Sequence, residues 1–574
     1  MAEQATVRNF SRNAKTWPLR LKLSPAISRC LNWQPKTRRA RCLWAGASGL
    51  LLTLAFPPFN LSAMAWIAPG VLLLATAGAT PRIQFSAGYV AGFVHFLSSL
   101  YWLLHIPFPQ TAWLGWLALS AYCALYFAMW TWLCWKLSPV TELKLYFDST
   151  WWRRQLWLLQ CAAAWAALEY LRGWMLTGFP WNYLGVSHFQ TLPLIQIASV
   201  TGVLGVSFLL VWFSAAMLCT GASILLRPAK RGAWLMELSV ALAGLMGVAG
   251  WGFVRTSQSE SELQHLRVAL VQPSVPQKIK FNPEDNAKAF RSVLELSRMA
   301  LAAKPDLLIW PEAVVPGFLR HDNELVEMVS GLARTNNVWI LLGADDAKVR
   351  ADDTTKADYS NSAFLVAPDG RLSAQYDKRH LVMFGEYVPL ANWLPFLKWF
   401  TPTGTGFTPG TQPGRFEMPH PIRGATLSPL ICFEDLFSQL AREGAAGADI
   451  LVNLTNDGWF GESAQQWQHA ANAVFRAVET GRPLVRCTNN GLTCWVDPHG
   501  RVQDAGFDNA RDIHSAGFKI VRIPIGARGQ TFYLQYGDWF AGLCVAATAA
   551  ALLWRFVRER MTTKKGWAAA RATP

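Results

Sequence analysis

Three residues whose types cooperate in acyl chemistry stand at the ends of strand-like runs. Cys432 follows Ala425 to Ile431, a short apolar run bounded by Gly424 and by the pair Glu434-Asp435, the pattern of a buried strand. Glu312 follows Leu307-Leu308-Ile309-Trp310-Pro311, behind a proline that ends strand pairing. Lys378 comes just after Leu372 to Tyr376. A thiol attacks as its thiolate, so it needs a base, and Glu312 can supply one. A tetrahedral intermediate needs donors at its oxyanion, which Lys378 and the backbone N–H of Phe433 can provide. Each residue also has an ordinary explanation. Free cysteine is among the most buried residue types, and Glu and Lys are mostly solvated surface charges.

The elements that must position these residues lie between 263 and 536. Arg267 to Val271, Asp306 to Trp310 and Trp339 to Gly343 read as strands, separated by helical patterns over Pro283 to Ala302 and Glu324 to Arg334. Ser362 to Ala367 and Leu372 to Tyr376 flank Pro368-Asp369-Gly370, a hairpin signature. Beyond the cysteine strand come a helix over Phe437 to Gly444, a strand over Ile450 to Leu454, a helix over Ala464 to Thr480 and a hairpin around Asn489-Asn490-Gly491. Strands alternating with helices predict a layered α/β domain.

The remainder of the chain is of another kind. Of 574 residues 52% are hydrophobic and 16% charged, with 29 Trp and 32 Phe, a composition suited to membrane interfaces. Apolar runs near 42–58, 62–79, 84–106, 111–136, 155–173, 193–226, 233–254 and 538–557 approach the roughly 20 residues that a bilayer core requires. The predicted organisation is a basic leader (1–41), a membrane domain with seven spans (42–254), the α/β domain (263–536), a last span (538–557) and a basic tail (558–574). Net charge +16 comes without a nucleic-acid-binding motif. The leader has ten Lys or Arg against the single acid Glu3, and Arg82, Lys144, Arg153, Arg154, Arg227, Lys230, Arg231 and the tail fall on the same predicted side. The positive-inside rule therefore puts 255–537 outside the cytoplasm.

Within the fifth run, Glu169 and Arg172 are spaced to pair on one helical face. They form either a wall of a lipid cavity or a structural ion pair near the outer interface. The ten cysteines show neither CxxC nor zinc spacing. Cys42, Cys123, Cys134, Cys161, Cys219 and Cys544 sit in apolar runs as packing residues, and Cys30 is in the leader. Cys487 and Cys494 can pair only in an oxidising compartment, and their spacing fixes no geometry.

Trp310-Pro311-Glu312, Asp377-Lys378-Arg379-His380 and Ile431-Cys432-Phe433-Glu434 resemble, in order, the three signatures of the nitrilase or carbon–nitrogen hydrolase superfamily. With the apolar runs, Thr177-Gly178-Phe179-Pro180-Trp181, His380 to Pro389, Thr455-Asn456-Asp457-Gly458-Trp459-Phe460-Gly461, Trp467-Gln468-His469 and Thr488-Asn489-Asn490-Gly491, residues 42–557 resemble the bacterial apolipoprotein N-acyltransferases. That resemblance implies an α-β-β-α sandwich outside the inner membrane and a Glu312–Lys378–Cys432 triad. It implies Glu386 and Glu434 as pocket acids. Phe281 and Phe433 stand where the family often has Trp and Tyr, keeping an aromatic surface without the polar tip.

The implied reaction is ping-pong. An acyl chain passes from a phospholipid, phosphatidylethanolamine by resemblance, to Cys432, and then to the α-amine of a diacylglyceryl-cysteine lipoprotein. No metal or organic cofactor is required, and the resemblance implies a monomer. Phe396, Trp399, Phe400 and Phe407, with Gly404, Gly406 and Gly410, suit a lid. His469 reads as structural, since Glu312 already supplies the base, and Asn456 and Asp457 shape the pocket floor or form an Asx turn. The alternative activities are a membrane-tethered amidase or nitrilase that uses water as acceptor, and a transporter or scaffold with an inactive hydrolase domain.

Overall fold

The computed structural model describes residues 35–571 apart from 108, 140–148, 227–230, 258–263, 351–352, 354, 392, 394–405, 420–423, 508–511 and 527–528. The readings for Cys30, Lys144, Arg227, Lys230, Phe396, Trp399, Phe400 and Gly404, and for nearly all of the leader, lie outside the described residues.

The α/β domain has two six-stranded sheets. The first has the order β12-β1-β2-β3-β4-β5, with β1 Gln264–Gln272, β2 Leu307–Ile309, β3 Trp339–Val349, β4 Ala357–Val366, β5 Leu372–Asp377 and β12 Gly517–Ile525. The second has the order β11-β10-β9-β8-β7-β6, with β6 Phe416–Met418, β7 Ala425–Ile431, β8 Ile450–Thr455, β9 Leu484–Thr488, β10 Cys494–Val496 and β11 Val502–Gln503. Each has a parallel centre, β1-β2-β3 and β7-β8-β9, flanked by antiparallel strands.

Residue alternation sets the layers. Val268 and Leu270 of β1 join Leu427, Ile431, Val452 and Leu454 in a core between the sheets. Ala269 and Val271 face the other way, against Phe290, Val293 and Val329 of helices Pro283–Leu301 and Asn323–Asn336. Helices Ser438–Ala445 and Gln465–Thr480 form the opposite outer layer, and their apolar faces share one cluster with the membrane-domain helices. The α-β-β-α arrangement is as expected. Pro429 is tolerated in β7 because β6 pairs only with Ala425 to Leu427 and stops before it.

The apolar half is helical. Ala112–Lys136, Val203–Ile224, Leu235–Thr256 and Trp539–Met561 are long and apolar enough to cross a membrane, and the chain is a membrane protein. Helices Arg38–Leu54, Pro81–Ser99 and Trp151–Arg172 accompany them. The run 62–79 is not one continuous helix. It divides into a 3-10 turn, Ser62–Trp66, and the nine-residue helix Ala68–Thr76, with Pro69 in its first turn. The run 193–226 is likewise broken, at Gly202, whose φ of +71° an L side chain rarely adopts.

Candidate active site

Glu312, Lys378 and Cys432 each leave the C-terminal end of a strand, β2, β5 and β7. Lys378 is 1% exposed. Its Nζ lies 2.7 Å from Glu386 Oε1 and 3.5 Å from Glu312 Oε1. Burial lowers its pKa, but the charges of Glu386 and Glu312 outweigh that and hold the ammonium above its ordinary range. Asn361 Nδ2 of β4 donates to Glu312 Oε1 at 2.8 Å and to Glu386 Oε1 at 3.4 Å. The N–H of Val382 donates to Glu386 Oε2 at 2.8 Å. Glu312 is thus fixed through one oxygen. Its buried Oε2 has no hydrogen-bond partner among the described residues and remains an open acceptor.

Cys432 opens the 3-10 turn Cys432–Leu436 with φ +53°, the left-handed region. Asn453 Nδ2 of β8 donates to its carbonyl at 3.0 Å. Burial pushes the thiol well above its ordinary pKa; Glu312 and Asp457 push the same way and Lys378 opposes them. The resting group is therefore a thiol, and attack requires that its proton be taken.

Glu434 braces this turn. It is 0% exposed and accepts from the N–H of Ile431 at 2.7 Å, Arg379 at 2.7 Å and His380 at 3.0 Å, and from the Tyr376 hydroxyl at 2.9 Å. The backbones flanking Lys378 and Cys432 are thereby tied to one carboxylate. Burial raises its pKa against those donors. The carboxylate of Glu434, expected as a pocket acid, thus joins the segment after β5 to the end of β7.

The family models match accordingly: an apolipoprotein N-acyltransferase N-terminal domain over residues 48–216 and a carbon-nitrogen hydrolase over residues 267–518. The apolipoprotein N-acyltransferase of Geobacter metallireducens is 35% identical over 526 residues, spanning 90% of this chain and 95% of that protein. The chain belongs to the apolipoprotein N-acyltransferase family. The Vibrio vulnificus apolipoprotein N-acyltransferase is 32% identical, over 90% of this chain and 97% of its own. Among solved structures, a Nesterenkonia amidase of the nitrilase superfamily is 20% identical, covers 48% of this chain and 95% of its own, and has a TM-score of 0.34.

In this member of the apolipoprotein N-acyltransferase family the membrane domain meets the turn Cys432–Leu436 directly. The ring of Phe433 stacks on Phe179 and Trp181, both at 6.4 Å between centroids, so a tyrosine hydroxyl is not needed for this contact. Gln468 Oε1 accepts from the indoles of Trp102 at 3.1 Å and Trp181 at 2.8 Å. Its Nε2 donates to the carbonyls of Pro57 at 2.9 Å and Ser99 at 3.3 Å. Glu169 and Arg172 both bind the backbone of the segment that follows their helix. Glu169 accepts from the N–H of Leu184 at 2.7 Å and Arg172 donates to the carbonyl of Trp181 at 2.7 Å, fastening the segment that carries Trp181.

Phe281 ends the turn Gln277–Phe281, and its side chain lies outside the described residues. At the C-terminal end of the segment expected to serve as a lid, Phe407 N–H donates to the Glu386 carbonyl at 2.8 Å and Gly410 N–H to the Lys378 carbonyl at 2.9 Å. A Cβ on Gly410 would stand 2.2 Å from the Asp377 carbonyl oxygen, so this close approach needs glycine. Cys487 and Cys494 are free, buried thiols, and Cys487 Sγ donates to the carbonyls of Val271 and Ile309, each at 3.3 Å. Asn361, Tyr376, Asp435 and Arg486 were not singled out in the sequence. Only the proximity of Asp435 to Cys432 could have flagged one of them.

Proposed function

We propose that this membrane acyltransferase transfers an acyl chain from a phospholipid to the N-terminal amine of a lipoprotein through a thioester on Cys432. Family membership supports lipoprotein N-acylation. The observation that carries the residue assignment is the unpartnered Glu312 Oε2 beside buried Lys378, with both charges acting on the Cys432 thiol. Glu312 accepts the thiol proton as Sγ attacks the ester carbonyl. Lys378 and the Phe433 N–H receive the oxyanion. The tetrahedral intermediate collapses, expelling lysophospholipid, whose alkoxide takes the proton from Glu312. In the second half, the lipoprotein amine gives its proton to Glu312 and attacks the thioester; as the amide forms, the Cys432 sulfur leaves and takes that proton back from Glu312. Glu386 holds Lys378 in place.

The donor in this reading is phosphatidylethanolamine and the acceptor a diacylglyceryl-cysteine. The chain acts as a monomer with eight spans, seven before the catalytic domain at 263–536 and one after it. That domain stands on the periplasmic face of the inner membrane, as the loop charges favour. Incubation with labelled phosphatidylethanolamine alone, followed by mass spectrometry, should find the acyl chain on the Cys432 peptide. Addition of acceptor peptide should discharge it. Discharge by water at the same rate as by peptide amine, or full transfer by Cys432→Ala, would refute the reading.

A further inference from the structure

Helix Gln465–Thr480 places two adjacent residues on different tasks. Gln468 grips the membrane domain, while His469 points into the catalytic domain. There, Nδ1 lies 2.7 Å from Asp457 Oδ1 and Nε2 lies 2.8 Å from Asp435 Oδ1. A neutral imidazole has one N–H and one lone pair. One of the two contacts would then oppose acceptor to acceptor in a site shielded from water. Both are satisfied only when the ring carries two protons. Burial would lower its pKa, but Asp435 and Asp457 raise it to about 9.

Arg486 of β9 completes the group. Its Nη1 binds Asp435 and its Nη2 lies 3.2 Å from Asp457 Oδ2. All four residues are at most 1% exposed, and their two positive and two negative charges cancel. Asp435 belongs to the turn that begins at Cys432, and Asp457 to the turn Asp457–Phe460 after β8. The Asp457 charge reaches the Cys432 thiol, as do those of Glu312 and Lys378. On the same helix, Arg476 is paired with Glu479 at 2.7 Å and also acts on Asp435. The membrane domain presents the Trp181 ring, 5.7 Å from the imidazole.

We propose that His469 is a positioning residue of the transfer reaction, whose imidazolium fixes the turn bearing Cys432 and screens the thiol from the Asp457 charge. Both ring nitrogens are committed, so His469 takes no proton from a substrate. This proposal rests on the reading of Cys432 as nucleophile.

The test measures the rate of iodoacetamide alkylation of Cys432 at pH 7, where the imidazolium is present, in the full-length protein in detergent micelles, read by peptide mass spectrometry. In His469→Gln that rate should fall roughly tenfold, and acyl transfer at the same pH should slow by at least as much. Asp457→Asn should raise the rate above that of the unaltered protein. The double variant His469→Gln/Asp457→Asn should return towards it, because the charges balance again. An unmoved rate in His469→Gln overturns the proposal, as does a double variant no closer to the unaltered protein than the single one. Should His469→Gln fail to fold, Asp457→Asn decides alone: a rise supports the proposal and an unmoved rate overturns it. Failure of the nucleophile assignment looks different, since Cys432→Ala would then still transfer acyl chains.

Discussion

Cys432 holds a left-handed backbone conformation that costs about 1–3 kcal/mol in a residue with a side chain, and the Glu434 brace is what maintains it. Tyr376→Phe removes one donor to that carboxylate and should destabilise the protein by about 1.5–3 kcal/mol, measured as a lowered denaturation midpoint. Glu312→Gln keeps the bond from Asn361 unless the amide flips, but loses the proton acceptor. Single-turnover release of lysophospholipid should slow by roughly 10²–10⁴-fold, and a loss under tenfold would remove Glu312 as the base. The placement of Glu312, Lys378 and Cys432 after β2, β5 and β7 was legible in the sequence because strand-end patterns are local. Asn361 was not. Its role exists only where β4 meets the loops after β2 and β5, and no local pattern distinguishes it from any other strand asparagine.

Helix Gln465–Thr480 is the element on which the two halves are joined. Gln468→Leu is similar in size but leaves two indole N–H groups and two carbonyls without their partner, and should cost roughly 2–4 kcal/mol in thermal unfolding. His469 makes the same helix sensitive to pH. Its pKa is raised from 6.5 to about 9 on folding. The stability it contributes is therefore complete below about 6.5 and is lost as pH rises through about 9. Melting temperature should fall over that interval, and His469→Gln should flatten the fall. Element types were read well wherever apolar period was strong, as in β7, β8 and helix Pro283–Leu301. β12 was missed because Lys519, Arg522 and Pro524 interrupt Gly517–Ile525, and its antiparallel pairing with β1 is set by tertiary contact. Gly202 and Pro69 broke runs that hydropathy alone reads as continuous.

At the scale of the whole molecule, the apolar cluster that includes Leu440, Val474 and Val478 also includes Leu158, Cys161, Leu204 and Val211 of the membrane helices. Helix Gln465–Thr480 of this outer layer is therefore buried at every residue but Trp467. Its lid of solvent has been replaced by another part of the same chain. This has a consequence for how the protein comes apart. Residues 263–536 expressed alone should aggregate or bind hydrophobic dyes, whereas a tethered soluble hydrolase would not. The full chain in micelles should lose its catalytic-domain and membrane-domain signals in one transition, and two well-separated transitions would contradict this. In these terms the molecule is expected to come apart as a single cooperative body and not as an enzyme and its anchor.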